Sequence, residues 1–245
     1  MNALLIHRRS SISASRLMRH CCMRCLSSST KKNGSGHKLR KNEDGFGIVA
    51  AMTNNKVIGV DGSLPWKNLT QDWNHFVNLT RNKVLLVGRK TFGLEDPSLA
   101  LLPHIRHCRA CVVVSQSMNQ EDLIKARVAS GSEHLALELL LASSFEEALE
   151  LARLEERKRT EQSNTCNDHD DSIDCWVAGG ETIYKEALRH PDAMEVQLTH
   201  VDMTVDTNQF SDVAFFPFED VKVNDFVEVH AKTIGNCEFK VMRKI

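Results

Sequence analysis

Asp72 lies in the segment Asn68–Asn78, where the apolar residues Leu69, Trp73, Phe76 and Val77 recur at helical spacing. A carboxylate beside two aromatic side chains on one helical face needs an explanation, because burying an unpaired charge is costly. It either faces water or hydrogen-bonds a ligand, and periodicity leaves both readings open. Two further segments carry glycines where a strand-like run gives way to a helix-like one. In Val87-Gly88-Arg89-Lys90-Thr91 the glycine lets an anion reach the backbone, and N–H groups at a helix start favour negative charge. The adjacent Arg and Lys suit a further phosphate such as the 2′-phosphate of NADP. In Trp176-Val177-Ala178-Gly179-Gly180-Glu181-Thr182-Ile183-Tyr184 paired glycines offer a second pyrophosphate cradle, although a Gly-Gly pair also serves as a plain turn. A loop with two glycines, Val57-Ile58-Gly59-Val60-Asp61-Gly62-Ser63-Leu64-Pro65-Trp66, precedes the Asp72 helix. Open α/β sheets bind ligands in such loops.

These segments must be positioned by the elements around them. Phe46–Met52, Lys83–Val87, Ala110–Ser115, Cys175–Ala178 and Glu195–Thr199 are short apolar runs of the kind buried in parallel sheets. Helical patterns fall between them at Asn68–Asn78, Ser144–Arg159 and Thr182–Arg189, and alternation of this kind predicts an α/β layered domain with a mostly parallel central sheet. Residues 117–143 are expected to add a strand and a helix. Val221–Val229 and Lys232–Arg243, broken at Gly235-Asn236, read as an antiparallel C-terminal hairpin.

The net charge of −1 conceals an asymmetry. Residues 1–42 hold ten Lys and Arg and no acid, so taking those ten charges away leaves −11 for residues 43–245. The acidic body disfavours nucleic acid as a partner. The Arg- and Ser-rich leader has the composition of a mitochondrial or plastid transit peptide, with a basic tail on a cytoplasmic protein as the alternative. Residues 1–44 are therefore read as leader and linker, and 45–245 as one catalytic domain. No apolar run reaches membrane-spanning length, and the chain is read as monomeric. The eight cysteines have no framework spacing and are read as thiols. Residues 160–174 form a polar insertion; Asp168, His169, Asp170, Asp171 and Asp174 lack the pattern of a calcium loop and are read as solvated, with no metal site.

Taken in order, the I-G-x-x-x-x-L-P-W loop, the V-G-R-K-T and A-G-G-x-x-I-Y turns, the L-T-H-V-D strand and Phe215-Phe216-Pro217 resemble the dihydrofolate reductases from about Phe46 to Ile245. That resemblance implies NADPH as cofactor and dihydrofolate as substrate, reduced by hydride transfer to C6 with protonation at N5. It implies that Asp72, supported by Thr199, binds the pterin, with Trp66 holding water nearby and Tyr184 near the hydride path. Val49, Ala50, Leu64, Trp73, Phe76 and Ala178 would line the substrate pocket. Arg109, with Arg106 as the alternative, would bind the glutamate tail. Gly88, Arg89, Lys90, Thr91, Ser115 and Gln116 would hold the adenosine phosphate, and Ala178, Gly179, Gly180, Glu181, Thr182, Ile183 and Tyr184 the pyrophosphate side. Ala51 and the loop residues Ile58, Gly59, Gly62, Ser63 and Leu64 would meet the nicotinamide end. Ala178 replaces a usual branched residue, which enlarges the pocket. A pyrimidine reductase of riboflavin biosynthesis, or a non-catalytic folate- or NADPH-binding module, are the competing readings. The length leaves no room within this chain for a fused thymidylate synthase.

Overall fold

The computed structural model describes residues 45–93, 101–132, 136–162 and 173–245. The leader and Asp168, His169, Asp170 and Asp171 lie outside the described residues. The strands are β1 (Phe46–Thr53), β2 (Val57–Val60), β3 (Val84–Gly88), β4 (Ala110–Val114), β5 (Glu138–Ala142), β6 (Cys175–Val177), β7 (Ala193–Val201), β8 (Val213–Phe215), β9 (Phe226–Ile234) and β10 (Cys237–Lys244). The helices are α1 (Thr70–Thr80), α2 (Arg89–Phe92), α3 (Gln120–Ala129), α4 (Phe145–Gln162), α5 (Glu181–Arg189) and α6 (Phe218–Val223).

Eight strands form one sheet in the order β5-β4-β3-β6-β1-β7-β10-β9, with β2 and β8 paired in a small sheet of their own. The pairs from β5 through β7 are parallel, and β10 is antiparallel to both β7 and β9. Parallel strands buried on both faces suit the continuous apolar runs: every residue of Val84–Gly88 is buried. Two apolar clusters cover the faces. One gathers Ile48, Leu86 and Val177 with Phe145, Ala148 and Leu149 of α4 and Ile183, Tyr184 and Leu188 of α5. The other gathers Val49, Leu85, Val87 and Trp176 with Phe92, Leu123 and, from α1, the partly buried Phe76 and Leu79.

Strand order determines where a ligand can sit. The chain leaves β1, builds β3, β4 and β5 outward, and returns to insert β6 between β3 and β1 before placing β7 on the other side of β1. A topological switch of this kind opens a crevice at the carboxyl ends of the strands.

Two sequence expectations are corrected. The C-terminal hairpin begins at Phe226, since Val221–Val223 belong to α6; Val221 is buried there, on the inner side of a short helix rather than in a strand. Asp174 is not a solvated loop residue: it is 6% exposed and closes the approach to β6. Its carboxylate accepts from Arg159 at 2.8 Å and from Arg109, with the Lys83 ammonium at 3.9 Å. Charged letters read as solvent-seeking, but three cations from separate segments make this burial tolerable.

Candidate active site

Helix α1 lies on the face of the sheet that carries Val49 and Ala178, and its first turn brings in Asp72. The carboxylate is half-buried and hydrogen-bonds the Thr199 side chain. Thr199 is 1% exposed on β7, where it pairs laterally with Ala51 of β1. Burial raises the proton affinity of Asp72 above that of an ordinary carboxyl, and the Thr199 hydrogen bond only partly offsets this. No cation among the described residues pairs with it. A carboxyl so placed is poised to hold a proton or to bind a protonated ring edge.

Tyr184 approaches from the other face. Its hydroxyl donates to the Val49 carbonyl at 2.8 Å, and its ring meets Phe216 edge-on at 5.3 Å. Burial, reinforced by the nearby Asp72 charge, pushes its phenol well above the usual range. Through that hydrogen bond the Tyr184 hydroxyl fixes the backbone of β1. The same Asp72 charge adds to burial in raising the Cys237 thiol. Trp66 is half-buried in the loop before α1, and Leu64 is 56% exposed on it. Trp73 and Phe76 pack together at 5.5 Å, with His107 edge-on to both. Ala50 and Ala51 lie in the second half of β1.

The two glycine turns form one surface. Gly88 N–H donates to the Gly179 carbonyl at 2.7 Å, and a Cβ on Gly88 would come 3.0 Å from Ile183 Cγ1. Gly179 has φ +111°, and a Cβ there would lie 3.2 Å from the Tyr184 hydroxyl. A Cβ on Gly180 would lie 3.1 Å from Thr91 Oγ1. Side chains are excluded so that two helix starts, α2 and α5, can converge. Arg89, Lys90 and Thr91 open α2, and Thr182 and Ile183 fall in the first turn of α5. Ser115 and Gln116 follow β4, whose Val114 pairs with Gly88, so they stand beside the same turn. This convergence of bare backbone, cations and helix starts fits a phosphorylated dinucleotide.

Two of the expected residues have their charged groups engaged within the protein. Arg109 lies at the amino end of β4, donates to the Asn82 carbonyl at 2.7 Å and is bound to Asp174, so its guanidinium is committed within the protein. Arg106 is the exposed arginine of that segment. Glu181 turns its carboxylate outward from the glycine surface, accepting from Phe215 N–H at 2.9 Å and Lys185 at 2.6 Å. Two residues absent from the sequence reading, Ser211 and Asp212, also matter. Asp61 Oδ1 accepts from Ser211 Oγ at 2.8 Å, Ser211 N at 3.1 Å and Asp212 N at 2.8 Å, clasping the 59–64 loop to the segment before β8. The only sequence signal for this clasp was the Asp61-Gly62 turn pair, which names no partner.

Residues 46–242 match the dihydrofolate reductase family model. The chain is 24% identical over 210 residues to a dihydrofolate reductase of Aedes albopictus, covering 82% of this chain and 97% of that protein. It is 25% identical over 183 residues to the dihydrofolate reductase of Sus scrofa, covering 71% and 80%. A bifunctional dihydrofolate reductase-thymidylate synthase of Glycine max is 28% identical over 187 residues, covering 73% of this chain and 30% of that one.

Proposed function

The chain belongs to the dihydrofolate reductase family, and we propose from that premise that it reduces 7,8-dihydrofolate to tetrahydrofolate with NADPH, Asp72 being the ionisable group of the pterin site. The observation that carries this reading is a half-buried carboxyl that hydrogen-bonds Thr199 and has no cation partner among the described residues. Such a group retains a proton more readily than a surface carboxyl and binds an amidine-like ring edge when ionised. Asp72 and Thr199 would orient the pterin, and Trp66 would hold water beside them for protonation at N5. Val49, Ala50, Phe76 and Ala178 would line the ring pocket, with Leu64 and Trp73 at its mouth. Tyr184 would keep the Val49 carbonyl in place.

The converging turns at Gly88–Thr91 and Gly179–Ile183 fit NADPH, which when bound would supply the hydride received at C6. Arg89, Lys90, Thr91, Ser115 and Gln116 would hold its adenosine phosphate. The 59–64 loop would exclude water over both ligands, as active-site lids do. With Arg109 tied to Asp174, the exposed Arg106 becomes the stronger candidate for the glutamate tail. The acid-free leader supports a mitochondrial or plastid destination, testable by fusing residues 1–45 to a fluorescent reporter; a diffuse cytosolic signal would refute it. A monomer is the proposed solution state.

The direct test is loss of NADPH absorbance by the full chain on adding dihydrofolate, with and without methotrexate. Methotrexate-sensitive oxidation supports the reading. A folded protein that binds NADPH but does not oxidise it contradicts the reductase assignment.

A further inference from the structure

We propose that Asp212 is a specificity-determining residue of the cofactor site: its carboxylate holds the Lys90 ammonium and so competes with a cofactor phosphate for that cation. The inference rests on the reading of Gly88–Thr91 as the phosphate turn. Asp212 Oδ2 lies 3.0 Å from Lys90 Nζ, although the two residues are 122 positions apart in the chain. Lys90 is the second residue of α2, directly after the turn where Gly88 meets Gly179 and Gly180 meets Thr91.

The carboxylate is held in register by its own backbone. Asp212 N–H donates to Asp61 Oδ1 at 2.8 Å, and the Asp212 carbonyl accepts from Asp61 N–H at 2.8 Å. Ser211 donates twice more to the same Asp61 oxygen. Strand β8 follows at once and is pinned to β2, and the Phe215 N–H is held by Glu181 at the start of α5. The side chain of Asp212 therefore projects toward Lys90 from a backbone fixed on both sides rather than from a free loop. Its charge also reaches Glu181, where it opposes the downward pull of Lys185. Of these two carboxylates beside the glycine turns, Glu181 is occupied by Lys185 and Phe215 N–H, and Asp212 faces the cation that a phosphate would need.

A lysine ammonium is a compact point charge with three donors, and a phosphate carrying nearly two negative charges attracts it more strongly than one carboxylate does. Phosphate binding at Lys90 therefore proceeds against the existing pair and against a second anion held within a Debye length of about 8 Å. A cofactor without that phosphate leaves the pair intact. Asp212 thus narrows the preference for a phosphorylated over an unphosphorylated dinucleotide, and it links occupancy of the phosphate turn to the segment that clasps the 59–64 loop.

The test is equilibrium binding of NADPH and of NADH to the full chain, read by quenching of tryptophan fluorescence, in the wild type, Asp212→Asn, Lys90→Met and the double variant. Asp212→Asn should tighten NADPH about two- to fivefold, the range an exposed ion pair supports, and leave NADH unchanged. In the Lys90→Met background the same substitution should have little effect on either. Equal tightening of both dinucleotides, no change for NADPH, or an undiminished effect without Lys90 would each overturn the inference while leaving the cofactor reading intact. If neither dinucleotide binds the wild type, the cofactor reading itself fails, and the inference with it.

Discussion

The two ends of the main sheet handle a buried carboxylate in opposite ways. Near the carboxyl ends of the strands, Asp72 faces the Thr199 hydroxyl and no cation among the described residues, and burial raises its proton affinity. At the amino ends, Asp174 is 6% exposed and is met by Arg109, Arg159 and Lys83. The second arrangement neutralises a charge so that α4, β4 and the start of β6 can pack around it. The first leaves a charge poorly compensated, at a cost in stability that packing alone does not require. Compensated burial marks structure, and uncompensated burial in a crevice marks chemistry.

The largest stability effect should come from breaking the compensated end. Replacing Asp174 with Ala removes the buried carboxylate that Arg109 and Arg159 contact and should cost about 3–5 kcal/mol of unfolding free energy in a urea titration. NADPH affinity should be largely retained by the folded fraction. A loss below about 1 kcal/mol, the range of exposed pairs, would place this cluster with surface ion pairs and dissolve the contrast.

A smaller loss is expected where the glycine turns meet. Gly179→Ala puts a Cβ at φ +111° within 3.3 Å of three atoms of Tyr184, which should cost about 1–3 kcal/mol in strain. It should also weaken NADPH binding. Unchanged dinucleotide affinity in a folded Gly179→Ala protein would contradict the role of this surface as a cofactor cradle.

The smallest effect is also the most diagnostic in sign. Because burial raises the folded-state pKa of Asp72 above 3.8, its stabilising contribution is fully present below that value and is lost as pH rises through the folded pKa. Asp72→Asn should therefore be more stable than wild type at pH 7, and the difference should shrink as pH falls toward the unfolded value. Thermal unfolding at several pH values measures this, and a variant less stable than wild type at neutral pH would show that Asp72 is compensated after all.

The contrast also explains what the sequence could and could not convey. Val84–Gly88 and Ala110–Val114 were legible as strands because both faces of each are buried, which writes an unbroken apolar run. The glycine turns were legible because no other residue fits where two helix starts converge. Asp72 was legible as a candidate because it stands beside Trp73 and Phe76. Asp174 was misread as solvated because its partners Lys83, Arg109 and Arg159 lie in other segments of the chain, and no local pattern declares a buried ion cluster. The Asp61 clasp was missed for the same reason, since its partners Ser211 and Asp212 lie about 150 residues away. The start of the hairpin was placed at Val221 rather than Phe226 because the apolar letters Val221 and Val223 suit the end of a short helix as well as a strand.

The central claim is that Asp72 supplies the ionisation on which turnover depends. The measurement that tests it most directly is the pH dependence of kcat/KM for dihydrofolate in wild type and Asp72→Asn, followed by NADPH absorbance. The account predicts that the wild-type rate falls as pH rises past the elevated Asp72 pKa, and that Asp72→Asn is slower by about 10²- to 10⁴-fold and lacks that limb. A variant that keeps the wild-type rate and the same pH profile would contradict it.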